Sequence, residues 1–363
     1  MMKEKTESIL HKQIGISLSP IKEYIEDTEV TDIIIFGYKK VCIKKRGEKL
    51  FKTDIQWASR ESLRTAANQI ARNIKRPLDA ERPIVDARLP DNSRVNIVID
   101  PVYGDGAYIA IRKFPEKVFK FEDLRGFGTI DDTGITILRN LVYLGKNIII
   151  SGGTGSGKTT LLNAAASIIP KDQIIVTIED AREIVIDQPY WAALEAKKKI
   201  YADQNEVTLS DLVKTSLRMS PSWIIVGEVR GNEVQDLLRA FNTGHSGIGT
   251  VHANTAKDSL GALQRLLIKA TNTSMRAAKE EIAAAVDIIV QVSRLRDETR
   301  KVMEILEING TDEDGNYLTK SIYGYTISGI DREGKIIGNH QLREVPNFLE
   351  EMKEKALEIP AIW

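Results

Sequence analysis

The residues Gly152-Gly153-Thr154-Gly155-Ser156-Gly157-Lys158-Thr159 fit the pattern G-x-x-x-x-G-K-[ST]. Each residue type there has a chemical use. Glycines let the backbone turn so that several N–H groups converge on one phosphate-sized concavity. The start of a helix adds the positive end of its dipole. A lysine at Lys158 can reach the β- and γ-phosphates, and the Thr159 hydroxyl can hold Mg²⁺. Thr160 extends the binding segment into the following helix. At average residue usage a chain of this length shows such a match by chance roughly once in a hundred. The dinucleotide fingerprint G-x-G-x-x-G does not fit, and Lys158-Thr159 follows the last glycine directly. ATP with Mg²⁺ is therefore the expected ligand.

Binding alone does not make water attack, and three further segments carry groups that could. Trp223-Ile224-Ile225-Val226-Gly227-Glu228 is an apolar strand ending in an acid, the pattern that places a carboxylate beside a phosphate loop, so Glu228 is a second expected Mg²⁺ ligand. Val176-Thr177-Ile178-Glu179-Asp180 ends in acids in the same way, and Glu179 could orient or deprotonate the attacking water. Thr243–Asn254 holds two of the chain's 4 histidines, His245 and His252, around a glycine-rich run. Both are expected near the nucleotide, where a neutral imidazole can read the γ-phosphate.

These residues need a framework. Strands alternate with helices from Thr133 onward, which predicts βαβ units and a largely parallel sheet. Ile148-Ile149-Ile150 and Ile224-Ile225-Val226 are apolar without alternation, as in strands covered on both faces. Residues 1–115 read as a smaller α+β domain. It has hairpin spacing around Gly37-Tyr38-Lys39, a helix over Ser59–Ile74, and a Pro90–Ser93 turn between two strands. Residues 116–130, with Gly126 and Gly128, read as a linker and hinge, and 131–363 as the nucleotide-binding domain with a tail of short strands turned by Gly310, Gly315, Gly329 and Gly334. Lys plus Arg equals Asp plus Glu at 51 each, which weighs against a polyanion as the main partner. The lone Cys42 has no partner for a disulfide or a zinc site. A charged start without an apolar core, and no long apolar run, predict a cytoplasmic protein.

The four segments, in this order and spacing, resemble the type II/type IV secretion superfamily ATPases: Walker A, the Asp box at Glu179-Asp180, Walker B at Gly227-Glu228-Val229-Arg230, and the His box at His245 and His252. The similarity extends over most of the chain, through Ala87–Asn96, Ile111–Phe114 and Ser216–Pro221. The tail around Gly329–Lys335 and Val345–Leu349 looks like the CpaF branch that drives Tad/Flp pili.

That resemblance implies a RecA-like P-loop domain with a smaller N-terminal α+β (PAS-like) domain, assembled as a homohexameric ring. It implies that Arg94 and Arg112 of the first domain reach the phosphates, with Arg230 as a further candidate, that Glu179 is the catalytic base, and that Glu228 is the Walker B acid. It also implies a motor peripheral to the cytoplasmic face of the inner membrane, where ATP-driven domain closure acts on a platform protein to assemble a pilus or export protein. The chain departs from the family at Tyr190 and Lys197, where a His and an Arg are usual, and lacks the four-cysteine zinc module of the pilus-extension branches. A conjugation or type IV secretion ATPase moving DNA or protein, and a scaffold that binds ATP without turnover, are the competing expectations.

Overall fold

The computed structural model describes residues 18–361 except 75, 115–117, 198 and 200–204, and also residue 363. The chain divides into two compact units, Met1–Lys117 and Val118–Trp363.

In the first unit, α1 (Lys22–Glu26) precedes β1 (Val30–Phe36), β2 (Val41–Lys45), β3 (Phe51–Lys52), α2 (Arg60–Asn73), β4 (Ile84–Arg88), β5 (Arg94–Ile99) and β6 (Ala107–Arg112). Among the described residues these strands form one six-stranded antiparallel sheet, ordered β3-β2-β1-β6-β5-β4. Burial alternates along β5 and β6, so one face supplies Val95, Ile97, Ile109 and Ile111 to the core. Helix α2 contributes Leu63, Ala67 and Ile70 to that core, the i, i+4, i+7 stripe of an amphipathic helix. It begins in a capping box between Ser59 and Ser62.

The second unit opens with α3 (Phe121–Gly126) and α4 (Asp132–Tyr143), then alternates β7 (Ile148–Ser151), α5 (Lys158–Ala166), β8 (Ile175–Glu179), β9 (Trp191–Glu195), α6 (Leu209–Ser216), β10 (Trp223–Val226), α7 (Glu233–Asn242) and β11 (Ser246–Val251). It closes with α8 (Ala256–Thr271), α9 (Met275–Ala285), β12 (Ile288–Arg294), β13 (Arg300–Thr311), β14 (Tyr317–Ile330), β15 (Ile336–Leu342) and α10 (Leu349–Glu354). The described strands form one nine-stranded sheet, ordered β15-β14-β13-β12-β7-β11-β10-β8-β9. It is parallel from β12 to β9 and antiparallel beyond β12. Alternate residues of β7 enter opposite cores: Ile148 and Ile150 pack with α4 and α5, and Ile149 with α7, α8 and α9. Two covered faces are why the strand shows no polar alternation. No described helix is long and apolar enough to cross a membrane.

Several expectations are corrected. Residues 118–130 belong to the second unit. Phe121, Leu124 and Ile130 are buried in its core, and Lys301 Nζ donates to the Gly128 carbonyl at 2.6 Å, so Gly126 and Gly128 do not form a free hinge. Lys120 and Asp123 supply the helix start that the glycines obscured. The tail strands are long and continue the main sheet. Gly329, expected at a turn, lies inside β14 where its register against β15 shifts. The strand expected at Gly249–Ala253 begins three residues earlier, at Ser246.

The tail is latched to the start of the unit. Asp131 caps α4 by accepting from Gly134 N at 2.9 Å, and it also accepts the Tyr323 hydroxyl of β14 at 2.8 Å. Burial, with the neighbouring carboxylate, pushes the Tyr323 phenol far above its usual range, so it stays a donor. Asp131→Ala removes the cap and takes away the acceptor of the buried Tyr323 O–H, and is expected to lower stability by about 2–3 kcal/mol in urea unfolding. Asp131→Asn keeps an acceptor and is expected to cost less.

Candidate functional site

The parallel strands deliver their C-terminal ends to one edge of the sheet, the usual site for ligands in such folds. A run of hydrogen bonds stitches that edge together. Gly152 N donates to the Val251 carbonyl at 3.3 Å, Val229 N to that of Thr250 at 2.8 Å, and Gly227 N to that of Ile178 at 2.9 Å. Thr250 Oγ1 donates to the Gly227 carbonyl at 2.6 Å. The loop after β7, the acid after β10 and the acids after β8 are thereby held in one row, with β11 between the first two.

The phosphate loop is built as the residue types require. Gly155 (φ 71°) and Gly157 (φ 100°) are left-handed, a conformation that favours glycine. A Cβ on Gly152 would lie 2.3 Å from the Val292 carbonyl oxygen. Gly157 is the N-cap of α5 and makes no side-chain cap, so the first N–H groups of the helix are left for an anion. Ser156 Oγ is buried in the loop without a hydrogen-bond partner, a second feature that fits a phosphate. Lys158 Nζ donates to the carbonyls of Gly152 (2.8 Å) and Gly153 (3.0 Å), which folds it over the loop. Burial lowers its pKa from the usual lysine value, Glu228 opposes this, and Arg230 adds to it. Thr159 and Thr160 are partly buried in the first turn of α5. Together these groups suit a polyphosphate.

Glu228 is about three-quarters buried and paired with Arg230, close enough to Lys158 to act on its charge. The backbone N–H groups of Arg230 and Gly231 are held by Glu233 Oε1. Among the described residues no cluster of three or more His, Cys, Asp or Glu could hold a metal. Mg²⁺ held mainly through phosphate oxygens needs only one or two protein ligands, and Thr159 and Glu228 are suited to that. Glu179 is buried, and its Oε1 accepts from Glu183 N at 2.7 Å and Ile184 N at 2.9 Å. A Cβ on Gly227 would come within 2.9 Å of Glu179 Cγ, so a glycine is needed for the acid strand to lie this close.

The two histidines part company. His252 follows β11, and its Nε2 lies 3.2 Å from Thr154 Oγ1 on the loop. His245 precedes β11 at the other end of the strand, about 20 Å away at the usual rise per residue, with Nδ1 3.3 Å from Thr243 Oγ1. The expected pairing of both histidines at one nucleotide within this unit is therefore corrected: a parallel strand between two sites cannot present both ends to one of them.

In the first unit Arg94 and Arg112 are directly cross-strand, and the same row continues to Arg88 on one side and to Asp32 and Lys44 on the other. Arg112 Nε donates to Asp32 Oδ1 at 3.2 Å. Ser93, bonded to Asp91 and Phe114, fixes the turn from which Arg94 emerges. Like charges directly opposite are unfavourable, and the Asp32 carboxylate in the same row offsets part of that for Arg112. Arg88 was missed because only strand register reveals it. Glu183, which acts on the charge of Lys158, was also missed, as it lies beyond the strand that carries the Asp box.

The family described as type II/IV secretion system protein matches residues 16–350. The chain belongs to that family. It is 34% identical over 288 residues to a putative conjugal transfer protein of Mycobacterium tuberculosis, covering 76% of this chain and 80% of that one. It is 31% identical over 293 residues to the type IV secretion system protein PtlH of Bordetella pertussis, covering 70% of this chain and 85% of the relative. Its fold is that of the pilus retraction motor PilT (TM-score 0.57, 19% identity, 95% of this chain and 86% of that chain) and of the Legionella pneumophila ATPase DotB (TM-score 0.57, 18% identity, 85% and 80%). The expected RecA-like α/β class is therefore the observed one, within the type II/IV secretion family.

The Glu179 anchor separates folding from chemistry. Glu179→Ala leaves the N–H groups of Glu183 and Ile184 without their acceptor, and is expected to cost about 1–3 kcal/mol in urea unfolding. Glu179→Gln keeps an amide oxygen for both N–H groups and is expected to unfold close to the parent.

Proposed function

We propose that the chain is an ATP-hydrolysing motor of a pilus or protein-secretion machine. One observation carries this reading: the loop Gly152–Thr159, Glu228 and Glu179 are stitched into one edge of the sheet, with His252 on the loop. The backbone of the loop and the first turn of α5 hold the phosphates, and Lys158 exchanges a loop carbonyl for a phosphate oxygen. Mg²⁺, when bound to Thr159 and Glu228, supplies charge neutralisation between the phosphates. Glu179 takes the proton of the water that attacks the γ-phosphorus as ADP leaves. Arg94, Arg112 and Arg230 stabilise the charge that develops, and His252 reads the γ-phosphate through Thr154. We assign the working form to a homohexamer of the CpaF type, peripheral at the cytoplasmic face of the inner membrane, acting on a platform protein. The names of the relatives support a second reading, a conjugation or type IV secretion ATPase.

A phosphate-release assay tests the proposal. Lys158→Ala is expected to abolish both ATP binding and turnover. Glu179→Gln is expected to bind ATP normally and turn over about 10²–10⁴-fold more slowly. A parent without turnover would leave the non-hydrolysing scaffold as the answer, and normal turnover in Glu179→Gln would remove Glu179 as the base. Stimulation by single-stranded DNA would favour the conjugation reading. Analytical ultracentrifugation with ATP and Mg²⁺ checks the hexamer.

A further inference from the structure

The hairpin between β12 and β13 belongs to the charged tail half of the sequence and carries none of the family motifs. Parallel pairing of β12 with β7, through Gln291 and Ser151, brings its C-terminal end beside the start of the phosphate loop. The antiparallel partners Arg294 and Arg300 then lie at the mouth of the hairpin. Arg300 Nε donates to the Gly155 carbonyl at 3.2 Å, and its Nη1 donates to the Glu298 carbonyl at 3.2 Å. Its Cδ lies 3.5 Å from where a Cβ on Gly157 would be, and Arg294 Nη1 lies 3.7 Å from the corresponding point on Gly155. The hairpin tip is fixed: Asp297 accepts from Thr299 N at 3.1 Å and Oγ1 at 2.7 Å, and from Ile336 N of β15 at 2.9 Å.

The two guanidinium groups are not equivalent. Arg294 pairs with the Glu298 carboxylate. Arg300 is partly buried, and its described hydrogen bonds end on main-chain carbonyls, none on a carboxylate. Burial and the neighbouring Arg294 charge both press its pKa below the usual arginine range. A desolvated cation beside another cation is unfavourable without a counter-charge. The same loop carries Lys158 and leads into the positive end of α5, with Glu228 and Glu183 acting on Lys158. A polyphosphate is the anion that such a cluster complements, and a planar guanidinium is well matched to two phosphate oxygens.

We infer that Arg300, supported by Arg294, binds the phosphate chain of the nucleotide held by Gly152–Thr159, as a cation supplied by the same unit as the loop. This rests on the nucleotide reading of that loop. Arg300 releases the Gly155 carbonyl and turns its fork to phosphate oxygens, while Arg294 keeps Glu298 and adds to the local positive field.

Calorimetric titration with ADP, at fixed Mg²⁺ and two salt concentrations, tests this on the full chain. Arg300→Gln keeps an N–H donor for the Gly155 carbonyl but removes the charge, and is expected to weaken ADP binding about tenfold or more. Arg300→Lys restores the charge and is expected to recover much of the loss. Arg294→Gln serves as a second variant that makes no bond to the loop backbone, and a smaller loss is expected. A loss in Arg300→Gln that Arg300→Lys recovers, with unfolding in the absence of ADP unchanged, carries the inference. Unchanged ADP affinity in Arg300→Gln, or an equal loss in both Arg300 variants, overturns it and leaves Arg300 as a clamp on the loop. If Arg300→Gln unfolds, Arg300→Met, which keeps the aliphatic stem and removes the charge, takes its place and is read against Arg300→Lys in the same way. A parent that binds no ADP would instead defeat the nucleotide reading itself.

Discussion

Parallel pairing of β7 with both β11 and β12 is the constraint on which the second unit depends. It places the loop after β7 between two strand ends, so the second unit's own side chains around that loop come from those ends or from the next strands out. His252 and Glu228 come from one side, and the hairpin of Arg294 and Arg300 from the other. Because β7 has both faces covered, its four residues cannot shift register without moving Ile149 from one core to the other. The loop therefore hangs from a strand fixed on four sides, and its left-handed glycines can be spent on shape rather than on slack.

The site is a balance of charges at close range. Lys158, Arg230, Arg294 and Arg300 lie among Glu228, Glu183 and Glu298, and the half-buried lysine already sits below its usual pKa. In the first unit the row Arg88, Arg94, Arg112, Asp32 and Lys44 carries a local excess of positive charge within a chain of zero net charge. Composition hides both clusters, because sheet register gathers the charges that composition averages.

What the sequence reveals follows from how local each signal is. The phosphate loop is contiguous, and glycines, lysine and threonine each have one use there, so it is legible in eight residues. The βαβ alternation and the helix over Ser59–Ile74 are legible because apolar periodicity is short-range. Arg88, Arg294 and Arg300 are not legible, since their meaning lies in cross-strand partners. The linker expected at 116–130 fails for a related reason: glycines mark possible bends, but burial of Phe121 and Leu124 decides whether the backbone is free. His245 and His252 are close in number and far apart in space because an extended strand separates them.

The bond from Tyr323 to Asp131 joins residues 192 positions apart. It has a meaning for how the chain is made. The first unit completes its sheet within the single stretch Val30–Arg112, so its strands leave the ribosome close together. The second unit cannot do the same: β7 emerges before its two neighbours, β11 following about 100 residues later and β12 about 140, and α4 is not latched until β14 has been translated. Its first strands must wait with apolar faces uncovered, which makes the later tail a step in assembling this sheet rather than an appendage to it.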